Sequence, residues 1–270
     1  MSNWCLVIIA LAFSLTATAE DFDHSHTKWL GILKTFTTNG AVYYADLKEH
    51  PAKLKSYLAD CAKVSSGDFK NWSTNQQKAF LINLYNASLV ELIADRYPIG
   101  TVKQIGGFYK GPFKQDYVAL FGARRTLEGV ERNLVTNYLD IRIYFALCSG
   151  AKGSPDLLNE AYDASKIDSQ LTQQTMRFMA NEKKNLFDPS NGKAEISILL
   201  KTAKEEFAKD QSPLKPVVDY VPESFREFAK REDVIITYMD FDWSLNDVPN
   251  RLSATRESYR ISANLETRNR

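Results

Sequence analysis

The sequence predicts an α+β fold, a single domain in which several helices surround a small, mainly antiparallel sheet. Helix and strand patterns interleave irregularly along the chain, and hairpin signals take the place of strict β–α alternation, which argues against a doubly wound sheet. Roughly 250 residues follow a predicted leader, which is long enough to form one well-buried core. These observations together favour one mixed domain.

The first 19 residues have the pattern of a secretory signal peptide. They contain no Asp, Glu, Lys or Arg, and an apolar run over residues 6–13 leads to small residues at 16–19, before Glu20. The run is shorter than the roughly 20 residues that span a bilayer. We therefore expect cleavage after residue 19 and a periplasmic or secreted protein without a membrane span. An uncleaved anchor is the alternative.

The composition narrows the classes of partner. The chain is 44% hydrophobic and 25% charged, with a formal net charge of +1, which gives no reason to expect nucleic acid. No cofactor is indicated. Two cysteines follow the leader, Cys61 and Cys148. An oxidising compartment would allow them to pair, but two buried free thiols are the preferred prediction, since free cysteine packs like a small hydrophobe.

The clearest helix begins after Ser73. Ser73 and Gln76 have the spacing of a capping box, and the helix should end at Tyr97 because Pro98 follows. The intervening residues are apolar on almost every side. This helix is therefore expected to run through the core.

The central part of the chain predicts a loop, a hairpin, a helix and a strand. A loop rich in Gly and aromatic residues covers 103–113, and a hairpin follows over 117–125. Thr126 can cap the next helix. The β-branched and aromatic run over 141–147, bounded by Cys148-Ser149-Gly150, predicts a buried strand.

The C-terminal part predicts shorter elements. A helix should cover about 168–180, and a turn over 188–192 should join two short strands. Further along come a strand entering a helix over 195–207, a short helix beginning at Pro222, and a last strand over 234–239. Residues 247–270 are polar and without periodicity, which predicts a solvated, disordered tail.

Six motifs together resemble the bacterial exported branch of the family catalogued as domain of unknown function 547. They lie in the family's order, and the resemblance covers roughly Trp29 to Asn246, so the predicted domain is 20–246. The resemblance implies a fold and a location more than a reaction. The motifs are Trp72-Ser73 leading into 79–87, 126–131, 143–147, Gly153-Ser154-Pro155, 159–162 and 242–246.

The departures from the family pattern bear most on function. Two histidines and two cysteines of relatives are replaced here by Arg132, Tyr144, Ser149 and Ser154. The family motifs imply thiolate–imidazole chemistry in those relatives, and such chemistry requires a base beside the thiol. The only histidines here, His24, His26 and His50, lie outside the matched motifs. We therefore predict a degenerate, non-catalytic member that binds a small molecule or an envelope protein.

The alternative is a divergent hydrolase or acyl transferase that uses Cys148 or Glu131. Glu131 lies beside the apolar stripe of its helix, where it is either a structural acceptor or a general base. Ser149 and Ser154 flank a turn whose N–H groups could form an anion-binding nest, although local hydrogen bonds are the simpler explanation.

The remaining candidates are pocket or structural residues. Asn83 and Asn86 either tie the core helix to the Cys148 turn or face a pocket. No metal site is predicted, because His24 and His26 lack a third ligand. The full set of pocket candidates is Asn83, Tyr85, Asn86, Arg132, Tyr144, Ser149, Ser154 and Asp242.

Overall fold

The computed structural model describes residues 21–107 and 110–248. The predicted leader lies outside the described residues, as does the predicted tail except for Asp247 and Val248. Within the described part of the chain, no helix combines the length and the apolar character that crossing a membrane requires.

Four helices and a short hairpin precede the predicted core helix, and the sequence patterns did not specify them. The hairpin pairs two antiparallel strands of two residues each. The helices cover the N-terminal half of the core, where they bury residues such as Trp29, Tyr44 and Leu54. In chain order the elements are α1 (Thr27–Phe36), β1 (Thr37–Thr38), β2 (Ala41–Val42), α2 (Tyr44–Glu49), α3 (Ala52–Lys63) and α4 (Ser66–Asn71).

The core helix α5 spans Thr74–Arg96, and its prediction is confirmed. The Ser73 hydroxyl accepts a hydrogen bond from the Gln76 N–H, while the Gln76 side chain accepts one from the Ser73 N–H. This reciprocal pair satisfies two backbone donors that the first turn would otherwise leave unpaired. Nearly every side chain from Ala79 to Ala94 is buried, so the helix runs through the core as expected.

The hairpin and the helix that follows α5 are also confirmed. Strands β3 (Val118–Leu120) and β4 (Ala123–Arg125) pair antiparallel. The Thr126 hydroxyl accepts a hydrogen bond from the Gly129 N–H at 2.9 Å and caps helix α6 (Leu127–Tyr138).

The predicted strand over 141–147 is wrong. Residues Ile143–Ala146 form a one-turn helix, α7, whose N–H groups bond to carbonyls three residues earlier. The Asp140 carbonyl accepts the first hydrogen bond of this turn, and the Arg142 guanidinium donates a hydrogen bond to the Asp140 carboxylate at 2.8 Å. The side chains of α7 are buried on all sides, and a short apolar run cannot distinguish a buried strand from a buried helical turn.

The C-terminal part combines three strands with three helices. Strands β5 and β6 pair antiparallel around the predicted turn, whereas β6 and β7 pair in parallel, with Ser197 opposite Met239. The α+β prediction is confirmed, with the strands divided among three small sheets. The elements are α8 (Ile167–Met179), β5 (Asn185–Asp188), β6 (Lys193–Ser197), α9 (Leu199–Phe207), α10 (Glu223–Ala229) and β7 (Ile235–Met239).

Two buried amides of α5 hold the chain that packs against it. Asn86 accepts a hydrogen bond from the Cys148 N–H and donates one to the Ala146 carbonyl, both at 3.0 Å. Asn83 makes the same pair of bonds to the backbone of Tyr162. Asn86 therefore ties the core helix to the Cys148 turn, the first of the two alternatives, whereas Asn83 ties the helix to Tyr162 instead.

A C-terminal strap, residues 242–248, runs over the loop that follows α7. Its Asp242 and Ser244 carbonyls accept hydrogen bonds from Gly153 and Lys152, each at 2.9 Å. Asn246 continues the contact by donating its N–H to the Gly150 carbonyl at 3.0 Å. The first residues of the predicted tail belong to this strap, since the Val248 N–H bonds to the Val42 carbonyl.

Replacing Asn86 with Ala should destabilise the protein through the loop after α7. The change leaves a buried N–H and a buried carbonyl without partners, and each such group costs about 1–3 kcal/mol. We expect a lower free energy of unfolding in urea denaturation. Asn137→Ala, at an exposed position of α6, is the matched control. Equal stability of the two variants would contradict the structural role of Asn86.

Candidate functional site

The motif loop, residues 148–156, begins with a thiol that is sealed from solvent. Cys148 is 2% exposed. Its Sγ accepts a hydrogen bond from the Gly150 N–H at 3.3 Å and lies 3.6 Å from the Asn246 amide nitrogen. Burial raises the pKa of the thiol, with Gly150 and Ser154 partly opposing the effect. Cys148 therefore stays protonated at neutral pH and is a poor nucleophile.

The second cysteine is also free and buried, as predicted for both thiols. Burial is the main cause that raises the pKa of Cys61 to about 12.

The Ser154 hydroxyl and most N–H groups of the motif loop are already hydrogen-bonded, so these N–H groups do not form a free anion-binding nest. The Ser154 hydroxyl donates a hydrogen bond to the Ala151 carbonyl at 2.7 Å. The N–H groups of Gly150, Lys152, Gly153 and Ser154 all bond to acceptors within the loop or the strap. The Ser149 hydroxyl is buried and has no hydrogen-bond partner among the described residues.

Glu131 occupies a different part of the molecule, with Tyr85 and Tyr144. Burial, followed by the neighbouring Glu128 and Glu206 carboxylates, raises the pKa of Glu131 to about 7. The charge of Glu131 in turn contributes to the raised pKa values of both tyrosines, after the larger effect of burial. No hydrogen-bond donor for the Glu131 carboxylate is found among the described residues. Of the two roles predicted for Glu131, the structure therefore gives no support to that of a structural acceptor.

The predicted candidates consequently do not converge on one cleft. Asn83 and Asn86 are structural ties, and Arg132 lies exposed with its guanidinium 3.2 Å from Glu128. Asp242 is exposed at the start of the strap and caps the Ser244 N–H at 2.9 Å. Of the predicted pocket residues, Asp242 lines a cleft of the described structure.

One of the histidines outside the matched motifs is buried in the folded body of the protein, where the sequence patterns offered no reason to expect an imidazole. His26 is 1% exposed, and its Nδ1 lies 2.8 Å from the Tyr57 hydroxyl. Burial is the main cause that lowers the pKa of His26 to about 4. Short-range sequence patterns gave no sign of this burial, which follows from the packing of α1 against α3. Because Cys148 makes its contacts with Gly150, Ser154 and Asn246, the imidazole does not activate that thiol.

A buried lysine adjoins the motif loop, and sequence reasoning missed it. The Lys184 ammonium donates hydrogen bonds to the Ser154 carbonyl at 2.6 Å and to Asp156 Oδ1 at 2.9 Å. Its Nζ also lies 5.4 Å from the centre of the Phe178 ring. The side chain is 7% exposed. Lys184 follows α8 with no periodicity or motif around it, so only the tertiary structure reveals its burial.

Lys184 lies in a cleft of about 510 Å³, named here the Lys184 cleft. The cleft opens where the parallel strands β6 and β7 end, and one side of it is the motif loop. Three lysines and three aspartates surround it. The lining residues are Asn39, Lys152, Gly153, Asp156, Asn181, Lys183, Lys184, Ser197, Ile198, Met239, Asp240, Phe241 and Asp242.

The close approach of strap and loop at this cleft requires a glycine. A Cβ atom at Gly153 would lie 2.9 Å from the Asp242 nitrogen, closer than real Cβ atoms come to backbone. The Gly153 position of the motif is thus explained by the contact that closes the side of the cleft.

Across the described ranges, no group of three His, Cys, Asp or Glu side chains is placed to hold a metal ion. The polar groups of the Lys184 cleft are ammonium, carboxylate, amide and hydroxyl groups. Such a set can bind and orient a small polar molecule.

Comparison with known families agrees with the motifs. Residues 69–179 match the family described as "Protein of unknown function, DUF547". The predicted resemblance is confirmed for this DUF547 segment, which includes five of the six motifs, the motif loop and Glu131. The motif over 242–246 and the assignment to a bacterial exported branch stay predictions. Lys184 and the strap lie outside the matched residues. No curated protein and no solved structure significantly matches the chain.

Glu131 generates a pH-dependent prediction. Its pKa is raised from an ordinary 4.5 to about 7 in the folded state, so the unfolded chain releases this proton first. The contribution of Glu131 to the stability of the wild-type protein should therefore fall as pH rises from about 4.5 to about 7. Glu131→Gln cannot ionise, so we expect a higher melting temperature than wild type at pH 8 and little difference at pH 4.

The matched control is Glu182→Gln, at an exposed glutamate. It should change the melting temperature little at either pH. A Glu131→Gln protein that melts below wild type at pH 8 would reveal a stabilising donor to the carboxylate and contradict this account.

Proposed function

We propose that this chain is a non-catalytic DUF547 member that binds a small, carboxylate-bearing molecule in the Lys184 cleft. The proposal is carried by one observation. An ammonium group has three N–H donors, and Lys184 uses two of them on Ser154 and Asp156. The third has no acceptor among the described residues.

The surroundings of Lys184 favour an anionic group of modest size. A charge-assisted hydrogen bond to a carboxylate is stronger when the donor is shielded from water, as this one is. Lys152 and Lys183 add positive charge around the cleft, whereas the carboxylates of Asp240 and Asp242 disfavour a highly charged anion. The cleft volume lies in the range of small-molecule sites, about 300–1,000 Å³.

The state of the thiol supports binding over cysteine catalysis. Cys148 is sealed from solvent with a raised pKa, and its hydrogen-bond neighbours are an N–H, a hydroxyl and an amide. None of these groups can accept the thiol proton as a general base. A concave polar cleft also favours a small molecule over an envelope protein as the partner.

We further propose that the protein works outside the cytoplasm, in the periplasm or after secretion. The support is the charge-free apolar pattern of residues 1–19 and the small residues before Glu20. Mass spectrometry of the exported product in a bacterial host should give a chain that begins at Glu20. Recovery of the uncleaved chain from the membrane fraction would contradict this proposal.

The binding proposal is tested with two probes of similar shape, N-acetylglycine and its uncharged amide, N-acetylglycinamide. A ligand that binds only the folded state raises its stability, by about 2.7 kcal/mol at 100 times Kd. In thermal-shift measurements, N-acetylglycine should raise the melting temperature of the wild-type protein and the amide should not. The shift should disappear in Lys184→Met.

Each variant is compared with its own melting temperature without probe, because Lys184→Met also leaves Asp156 unpaired. The matched control is Lys193→Met, at an exposed lysine of β6 outside the cleft, which should keep the shift. Lys183→Met removes an exposed positive charge from the cleft without disturbing the buried Lys184 ammonium, and it should reduce the shift in melting temperature. Equal shifts with both probes, or a shift that Lys184→Met retains, would refute the proposal.

A second candidate function, a carboxylate-dependent hydrolase, rests on Glu131. A carboxyl with a pKa near 7 suits a general base at neutral pH, and the charge of Glu131 contributes to the raised pKa of Tyr144. The Glu131→Gln variant separates the two functions. Loss of an ester-hydrolysing activity in this variant, with cleft binding intact, would favour the enzyme.

A further inference from the structure

A second cavity, of about 780 Å³, lies on the N-terminal side of the molecule. It is bounded by the segment that leads into α1, the C-terminal half of α3, and α4 with the residue that follows it. It shares no lining residue with the Lys184 cleft. We name it the Trp72 cavity after its largest aromatic side chain.

The apolar wall of this cavity is a fixed set of rings. Phe22 stacks on Trp72 with ring centres 5.5 Å apart, and both pack edge-on against the buried Phe80. Phe22 and Trp72 are themselves only half-buried, so each keeps ring surface that a ligand can contact. Because the rings are held by one another, little side-chain freedom is lost when a ligand binds.

His26 contributes an unpartnered polar atom to the same wall. Its Nδ1 is bonded to the Tyr57 hydroxyl, whereas its Nε2 is buried and has no hydrogen-bond partner among the described residues. The residue is also held in the left-handed region at φ 50°, an uncommon conformation for a side chain other than glycine. With the proton on Nδ1, the neutral ring presents Nε2 as a hydrogen-bond acceptor.

The charges around the cavity favour a positively charged ligand. Four aspartates line it against two lysines, and both lysines are directed to the same carboxylate, Asp60. The lining side chains therefore carry more negative than positive charge. Aromatic ring faces attract cations as well.

We propose that the Trp72 cavity binds a small organic cation with an apolar or aromatic body. The body packs against Phe22 and Trp72, the ammonium lies toward the aspartate side, and one ammonium N–H can be donated to His26 Nε2. This inference is independent of the function proposed for the Lys184 cleft.

The test uses three probes that share a phenol ring and differ in charge. They are tyramine (cation), 4-ethylphenol (neutral) and 3-(4-hydroxyphenyl)propionate (anion), each titrated calorimetrically into the purified protein. Tyramine should bind about tenfold more tightly than 4-ethylphenol, and the anion should bind least. Raising the salt concentration should weaken tyramine binding more than that of the neutral probe.

Two variants locate the site. Trp72→Leu should weaken tyramine binding at least about tenfold by removing ring contact and cation–π attraction. Asp21→Asn, at an exposed position that can be changed without disturbing the core, should weaken tyramine severalfold and leave 4-ethylphenol unchanged. Asp210→Asn, an exposed aspartate outside the cavity, and Lys184→Met should both bind tyramine like wild type.

The proposal is overturned if folded wild-type protein binds none of the probes, or if the anion binds as tightly as tyramine. It is also overturned if both Trp72→Leu and Asp21→Asn bind tyramine like wild type. If Lys184→Met alone abolishes tyramine binding, the probe occupies the other cleft, and the Trp72 cavity is again contradicted.

Discussion

The position of the motif loop depends on the buried amide of Asn86. Its two hydrogen bonds to the Ala146 carbonyl and the Cys148 N–H fix where the loop leaves the short helix α7. From the opposite side, the Asn246 side-chain oxygen accepts a hydrogen bond from the Tyr44 hydroxyl, and its amide nitrogen lies 3.6 Å from the Cys148 sulfur. The thiol is thus enclosed between two asparagines that lie far apart in sequence. Because both amides are buried, neither can shift without leaving a polar group unpaired.

This enclosure determines what the loop can do chemically. Its N–H groups are used to hold the C-terminal strap, and its thiol is held protonated by burial, so neither is available to a substrate. The Ser154 carbonyl instead accepts a hydrogen bond from the buried Lys184 ammonium. The loop therefore orients this ammonium, which lines the Lys184 cleft.

The sequence predicted elements that local hydrogen bonds determine and missed those that depend on tertiary packing. The capping box at Ser73 and the cap at Thr126 are formed within four residues, so their helices were predictable. The prediction of a strand at 141–147 was wrong because an apolar run that is buried on all sides fits a strand and a helical turn equally well. The contacts that bury this run come from residues distant in sequence. The buried positions of His26 and Lys184 were unpredictable for the same reason, since polar residues give no periodic signal when tertiary contacts alone bury them.

The residues that line the Lys184 cleft come partly from the DUF547 segment and partly from the chain outside it. The matched residues 69–179 supply the motif loop and its anchor on α5, whereas Lys184 and the residues at the ends of β6 and β7 come from the chain beyond that segment. In this protein serines occupy positions 149 and 154 of the motif loop, and the buried Lys184 ammonium lies beside them. Four of the six charged side chains that line the cleft, Lys183, Lys184, Asp240 and Asp242, come from the chain beyond the matched segment. The charge of the cleft is therefore set mainly by the later chain, while the matched segment supplies the loop that orients the ammonium.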